Sequence, residues 1–118
     1  PLGLLVAAIL TLNAIPDRAP DRIAAKGTLA VRRGSAGAIA VYRALLAAAF
    51  LILLWAAAAG TLGRHGWLPC LASVPAALLF IRVGSLAGGA SERFPFLAGA
   101  TVALHLSLGL LIIAGIAG

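Results

Sequence analysis

The chain has 118 residues, 63% of them hydrophobic and 10% charged, where a soluble domain of this length carries about 45–50% apolar and about 25% charged residues. Both departures exclude an ordinary soluble domain and point to a membrane protein. The net charge of +6 would suggest nucleic acid in a soluble protein, but cytoplasmic loops of membrane proteins carry the same excess of Lys and Arg. No surface with aromatics interleaved among basic residues is visible, and no nucleic-acid partner is expected.

Four apolar segments follow in chain order. Residues 1–15 are apolar apart from Thr11 and Asn13. They fall short of the ~20 residues a spanning helix needs and read as the end of a helix that begins upstream, so the chain is expected to be a piece of a longer protein. Residues 37–62 are long enough to span, with Tyr42 and Arg43 near the start as an interfacial pair and Trp55 deeper, packed or lining a groove. Residues 67–86 form the third segment, with Arg82 near its end, able to snorkel. Its Pro69 falls in the first turn, where a missing N–H costs little; Pro75 falls inside and predicts a kink. Residues 94–117 contain no charged side chain, and Gly99, Gly109 and Gly115 allow neighbouring helices to approach closely. The expected fold is an all-α, polytopic transmembrane helical bundle in one domain.

Cys70 is the only cysteine, which excludes an intrachain disulfide and a cysteine zinc site; it reads as a small buried hydrophobe. No signal-peptide pattern is present. His105 lies mid-segment among leucines, as a site group or as a neutral histidine bonded to a neighbouring helix. His65 reads as a solvated turn residue.

The connections give an orientation. The first, residues 17–36, carries Arg18, Arg22, Lys26, Arg32 and Arg33; the second, 63–66, carries only Arg64; the third carries Arg82 and Arg93. By the positive-inside rule, the first and third are cytoplasmic and the C-terminus lies outside. The chain is thus expected to be an integral, multi-pass protein of a bacterial-type cell membrane.

Polar chemistry concentrates after the first segment, in Asn13-Ala14-Ile15-Pro16-Asp17-Arg18-Ala19-Pro20-Asp21-Arg22. If helical geometry roughly persists, Asn13, Asp17 and Asp21 share a slowly drifting face, although Pro16 and Pro20 oppose an unbroken straight helix. Two carboxylates one turn apart suit Mg²⁺, which is usually held by one or two carboxylates together with substrate phosphates. The same spacing also suits a solvated loop in which Asp17 and Asp21 pair with Arg18 and Arg22. The only other acid is Glu92, so a diphosphate site needing a second acidic cluster would have to receive it from elsewhere.

The string Asn13-x-Ile15-Pro16-Asp17-x-x-x-Asp21-Arg22-x-x-x-Lys26-x-Thr28-Leu29-x-Val31-Arg32-x-Gly34 resembles the second aspartate-rich motif of the UbiA-type intramembrane prenyltransferases. Three apolar spans follow it, as in the last third of that nine-helix family. Thr101-x-x-Leu104-His105-Leu106-x-x-Gly109-Leu110-Leu111 is most similar to the final helix of the 1,4-dihydroxy-2-naphthoate branch. The resemblance implies Mg²⁺-dependent transfer of a polyprenyl group from its diphosphate to an aromatic quinone precursor, in menaquinone biosynthesis. It implies Asp17 and Asp21 as metal ligands and Asn13, Arg22, Lys26 and Arg32 around the diphosphate. It also implies upstream helices carrying the first aspartate-rich motif, without which the 118 residues would be inactive. The sequence departs from the family in reading Ala25-Lys26-Gly27-Thr28 for the usual Gly-Lys-Arg-Thr, and in Pro20 between the aspartates. The rival expectation is a non-enzymatic helical membrane subunit or transporter fragment in which the two aspartates only orient a loop.

Overall fold

The computed structural model describes residues 1–88 and 92–117. Residues 89–91, within the third connection, and residue 118 lie outside the described residues. The described residues are helical with no strand: α1 (Leu2–Asn13), α2 (Arg18–Ile23), α3 (Leu29–Ala58), a 3₁₀ segment (Leu68–Ala72) running into α4 (Ser73–Arg82), a second 3₁₀ turn (Val83–Leu86), and α5 (Phe94–Ala117). Ala and Leu fill these helices, and both lose little on entering helical geometry. Three helical stretches are long and apolar enough to cross a membrane, namely Leu29–Ala58, Leu68–Leu86 and Phe94–Ala117. A helix answers every interior backbone N–H and C=O within itself, which a bilayer core requires.

The core is a seam of residues spaced alternately by three and four. α1 and the turn after it contribute Leu5, Ala8, Leu12 and Ile15; α3 contributes Ile39, Tyr42, Leu46, Ala49 and Leu53; α5 contributes Leu97, Thr101, Leu104 and Leu108, all buried. This spacing keeps one stripe facing the partner helix along the whole contact. α1 packs chiefly on α3 and also on α5, and α4 packs on α5. The opposite faces expose Leu51, Ile52, Leu106, Leu110 and Ile113, apolar surface that suits a bilayer or further helices.

Polar side chains join the helices at two points. The Thr101 hydroxyl donates to the Leu97 carbonyl at 2.7 Å, so it accepts from the Tyr42 hydroxyl, 3.0 Å away. Arg43 Nε donates to the Phe80 carbonyl at 2.9 Å while its guanidinium lies 5.2 Å from the Phe80 ring centroid. That carbonyl is among the last four of α4, which a helix leaves without a partner of its own. At the other end of the bundle the 63–66 turn lies against α5: a Cβ on Gly115 would stand 3.1 Å from the His65 carbonyl oxygen.

Several expectations need correction. α3 starts at Leu29, not at 37, and stops at Ala58, not 62, where Gly60 and Thr61 N–H groups close the last turn onto Ala57 and Ala56. Arg32 and Arg33 therefore stand on helix rather than in a loop. Tyr42 is buried instead of interfacial, because its hydroxyl has found Thr101. Trp55 is 70% exposed rather than packed, a placement that costs nothing against lipid. Pro75 stands in the first turn of α4, since Leu68–Ala72 is 3₁₀ and α geometry begins at Ser73; there its missing N–H removes no helical bond.

Candidate functional site at the α1–α3 connection

The chain leaves α1 at Asn13 and makes a tight turn over residues 14–17, pinned by buried Ile15. It then forms α2, one and a half turns long. Asp17 is the residue flanking the N-terminus of α2, and its carbonyl accepts from the Asp21 N–H at 2.8 Å. The two carboxylates thus sit one turn apart, as their spacing requires. Asn13 ends the preceding helix and is exposed, so the three residues do not lie along one unbroken helix; Pro16 and Pro20 bracket the change of direction.

α2 ends in a tight reversal. Lys26 N–H bonds the Asp21 carbonyl at 2.9 Å and Ala25 N–H bonds the Arg22 carbonyl at 3.2 Å, the paired closure of a Schellman turn. Ala25 holds φ 54 there, a left-handed conformation that glycine occupies without steric cost. The reversal swings Lys26 back over the helix, and its Nζ stands 3.5 Å from Asp21 Oδ1. The Asp21 side chain is 14% exposed and that of Lys26 66%. Asp17 is exposed.

The remaining basic residues go elsewhere. Arg32 lines a cleft of about 440 Å³ with Gly27, Leu29 and Arg33. Arg22 lines a different one, of about 610 Å³, with Arg18, Ile15, Pro16, Ala19, Ile23 and Ser35. Of the residues expected at the site, the structure pairs Asp21 with Lys26, ties Asp17 to Asp21 only through the backbone, and places Arg22 and Arg32 on different clefts. The pairing of the aspartates with Arg18 and Arg22 is not found: among the described residues neither arginine makes an ion pair.

Two carboxylates are hard oxygen donors of the kind Mg²⁺ accepts. Among the described residues no three His, Cys, Asp or Glu side chains gather as a metal-holding group, so the pair supplies part of a coordination shell. Comparison of the chain with protein-family models, with curated proteins and with solved structures finds no match.

Two features escaped the sequence reading. The first is a break in α3 at Gly34, whose φ 72 and ψ 176 leave helical space; Gly34 and Gly37 in one turn were the available signal. The second is Ser35, just after it, 4% exposed with its hydroxyl buried and unpartnered. His105 Nδ1 is likewise buried without a hydrogen bond, so the expected bond to a neighbouring helix is not found among the described residues. An apolar cleft of about 300 Å³ opens between α3 and α4, lined by Leu46, Phe50, Ala76, Ala77, Phe80 and Ile81 among others.

Proposed function

We propose that this chain is part of a UbiA-type intramembrane prenyltransferase, a nine-helix fold of which it supplies the C-terminal part, and that it serves transfer of a polyprenyl group to 1,4-dihydroxy-2-naphthoate. The observation that carries the reading is the Asp21–Lys26 pair held by the terminal turn of α2, with Asp17, one turn before Asp21, at the N-terminus of the same short helix. In the transfer, the bond between the allylic carbon and the diphosphate oxygen breaks, the diphosphate leaves as the anion, and a carbon–carbon bond forms at an aromatic ring carbon, which then releases its proton, or its carboxylate as carbon dioxide, to restore the ring. Mg²⁺, when bound, neutralises negative charge developing on the departing diphosphate. Asp17 and Asp21 supply carboxylate oxygens to it, and Lys26 is free to turn from Asp21 toward a diphosphate, its ammonium already largely in solvent. The apolar α3–α4 cleft suits prenyl units and shelters an allylic cation from water. A second acidic cluster, contributed by further helices, completes the metal shell. The basic connection faces the cytoplasm in this reading, and the C-terminus lies outside.

One observation favours the rival reading of a non-enzymatic membrane subunit: Asp21 already has a cationic partner in Lys26, as a carboxylate that only fixes a loop would. The discriminating experiment is prenyl transfer in membranes carrying the product of the complete reading frame, with polyprenyl diphosphate, the naphthoate and Mg²⁺. Turnover that disappears on chelation supports the enzyme. Turnover absent with every aromatic acceptor, in protein that inserts normally, leaves the subunit.

A further inference from the structure

The cleft between α2 and the break in α3 collects groups that no other part of the molecule explains. Arg18 and Arg22 stand one turn apart on α2, on its flank beside the one carrying Asp17 and Asp21, and both line the cleft. Neither makes an ion pair among the described residues. Arg18 Nη2 lies 4.0 Å from the point where a Cβ on Gly34 would stand, so its guanidinium reaches the break itself. Beyond the break, Ser35 opens the long arm of α3, the residue before it having left helical backbone space. Such a helix start carries partial positive charge and suits an anion. At the same place Ser35, itself a residue of the cleft lining, has a buried hydroxyl with no partner. A buried hydroxyl left unbonded has lost its water without a replacement, a loss that a ligand oxygen would recover.

Two unpaired guanidinia, a helix start and an orphan hydroxyl describe a receptor for a tetrahedral oxyanion. The rest of the lining says what that anion is attached to. Ile15 and Pro16 form an apolar wall, and Ile23, on the same cleft, is 89% exposed. A free inorganic anion has no use for that wall; an amphiphile does. The cleft also lies at the end of the spanning helices, at headgroup level if they cross a bilayer.

We infer that the cleft formed by Arg18, Arg22 and Ser35 binds the phosphate of an anionic phospholipid headgroup. This site is separate from the Asp17–Asp21 pair and stands whether or not the chain belongs to a prenyltransferase. The phosphate oxygens take the two guanidinia and the Ser35 hydroxyl, and the acyl chains leave along Ile23.

The test uses the purified full-length protein in phosphatidylcholine nanodiscs titrated with phosphatidylglycerol, read by lipid retention in native mass spectrometry and by thermal unfolding. Phosphatidylglycerol should be retained and should raise the midpoint. Arg18→Gln with Arg22→Gln should weaken retention at least tenfold, and Ser35→Ala several-fold. The control Arg32→Gln with Arg33→Gln removes equal charge from the neighbouring cleft and should change retention less than twofold. Equal losses in both double variants would reduce the effect to general charge and overturn the site, as would full retention in Arg18→Gln/Arg22→Gln. Inorganic diphosphate is the second arm. It should not displace the lipid at millimolar concentration; displacement, with no preference for phosphatidylglycerol over phosphatidylcholine, would assign the cleft to a soluble phosphate and overturn the lipid. Asp17→Asn should leave retention unchanged, which separates this result from any failure of the prenyl-transfer reading.

Discussion

Ala25 holds a conformation that a side chain disfavours, and it does so to place Lys26. A left-handed residue with a Cβ costs about 1–2 kcal/mol, so Ala25→Gly should raise the stability of the folded protein by about 1 kcal/mol, read as a higher midpoint in detergent. Lys26→Ala should change the same midpoint little, because the ion pair it removes is mostly in solvent and worth at most about 1 kcal/mol. If the protein transfers prenyl groups, the order of effects on turnover is reversed. Asp17→Asn and Asp21→Asn, measured in membranes with the complete protein, should each lose several orders of magnitude, each ~1.4 kcal/mol of transition-state stabilisation being tenfold in rate. Lys26→Ala should lose less and Ala25→Gly almost nothing. Near-normal turnover in both aspartate variants would leave the carboxylates a structural role only. The spacing of Asp17 and Asp21 is legible in sequence because a four-residue interval is one helical turn in any helix. The partner of Asp21 is not, because it depends on a reversal centred on an alanine, a residue that does not advertise left-handed geometry.

At the scale of elements, α3 is built around one interruption. Gly34 occupies a region of backbone space that is essentially reserved to glycine, and Gly37 follows where a Cβ would stand 2.5 Å from Arg33 Cβ. Gly34→Ala and Gly37→Ala should each destabilise the protein by about 1–3 kcal/mol, measured by thermal or denaturant unfolding. Gly99→Ala, on α5, where a Cβ would meet nothing within 4 Å, should be neutral or slightly stabilising, as alanine is the better helix former. The apolar runs gave away the spans because burial or lipid contact demands them over a fixed length. They could not reveal where α3 begins, since Arg32, Arg33 and Gly34 interrupt the apolar run just after its first turn. Nor could they separate Tyr42 from a membrane-interface tyrosine: its hydroxyl partner, Thr101, is 59 positions away. Tyr42→Phe should cost about 1 kcal/mol, the worth of one hydrogen bond, since Thr101 keeps its own bond to Leu97. Arg43→Leu should cost no more than that, because its bond to the Phe80 carbonyl is exposed and water can take the place of the guanidinium.

For the molecule as a whole, the contacts sort the charges. The Arg43–Phe80 and Tyr42–Thr101 bonds bring the end of α4 and the first turns of α5 beside the middle of α3, whose N-terminal half also carries the contacts with α2. Of nine Lys and Arg residues, only Arg64 lies at the opposite end, in the turn packed against Gly115. The alternation of charge along the chain made this pairing of ends readable, whereas the sidedness rests on the positive-inside rule alone. Single cysteines at Ala24, Thr61 and Ala117, all exposed, in a Cys70→Ala background, should report it. An impermeant thiol reagent added outside intact cells should label the second and third and spare the first. Labelling of Ala24→Cys together with Ala117→Cys from one side would overturn the arrangement.

That uneven distribution also makes the bundle an electrical object. A membrane potential acts on each elementary charge with about 2.3 kcal/mol per 100 mV across the full bilayer. If the basic connections lie on the cytoplasmic side, an energised membrane, negative inside, holds the crowded end inward with a force that grows with every added arginine, and Arg64 is the one basic side chain whose passage outward runs against that pull. Dissipating the potential during synthesis should then ease the passage of the 63–66 turn while it loosens the preference for one orientation.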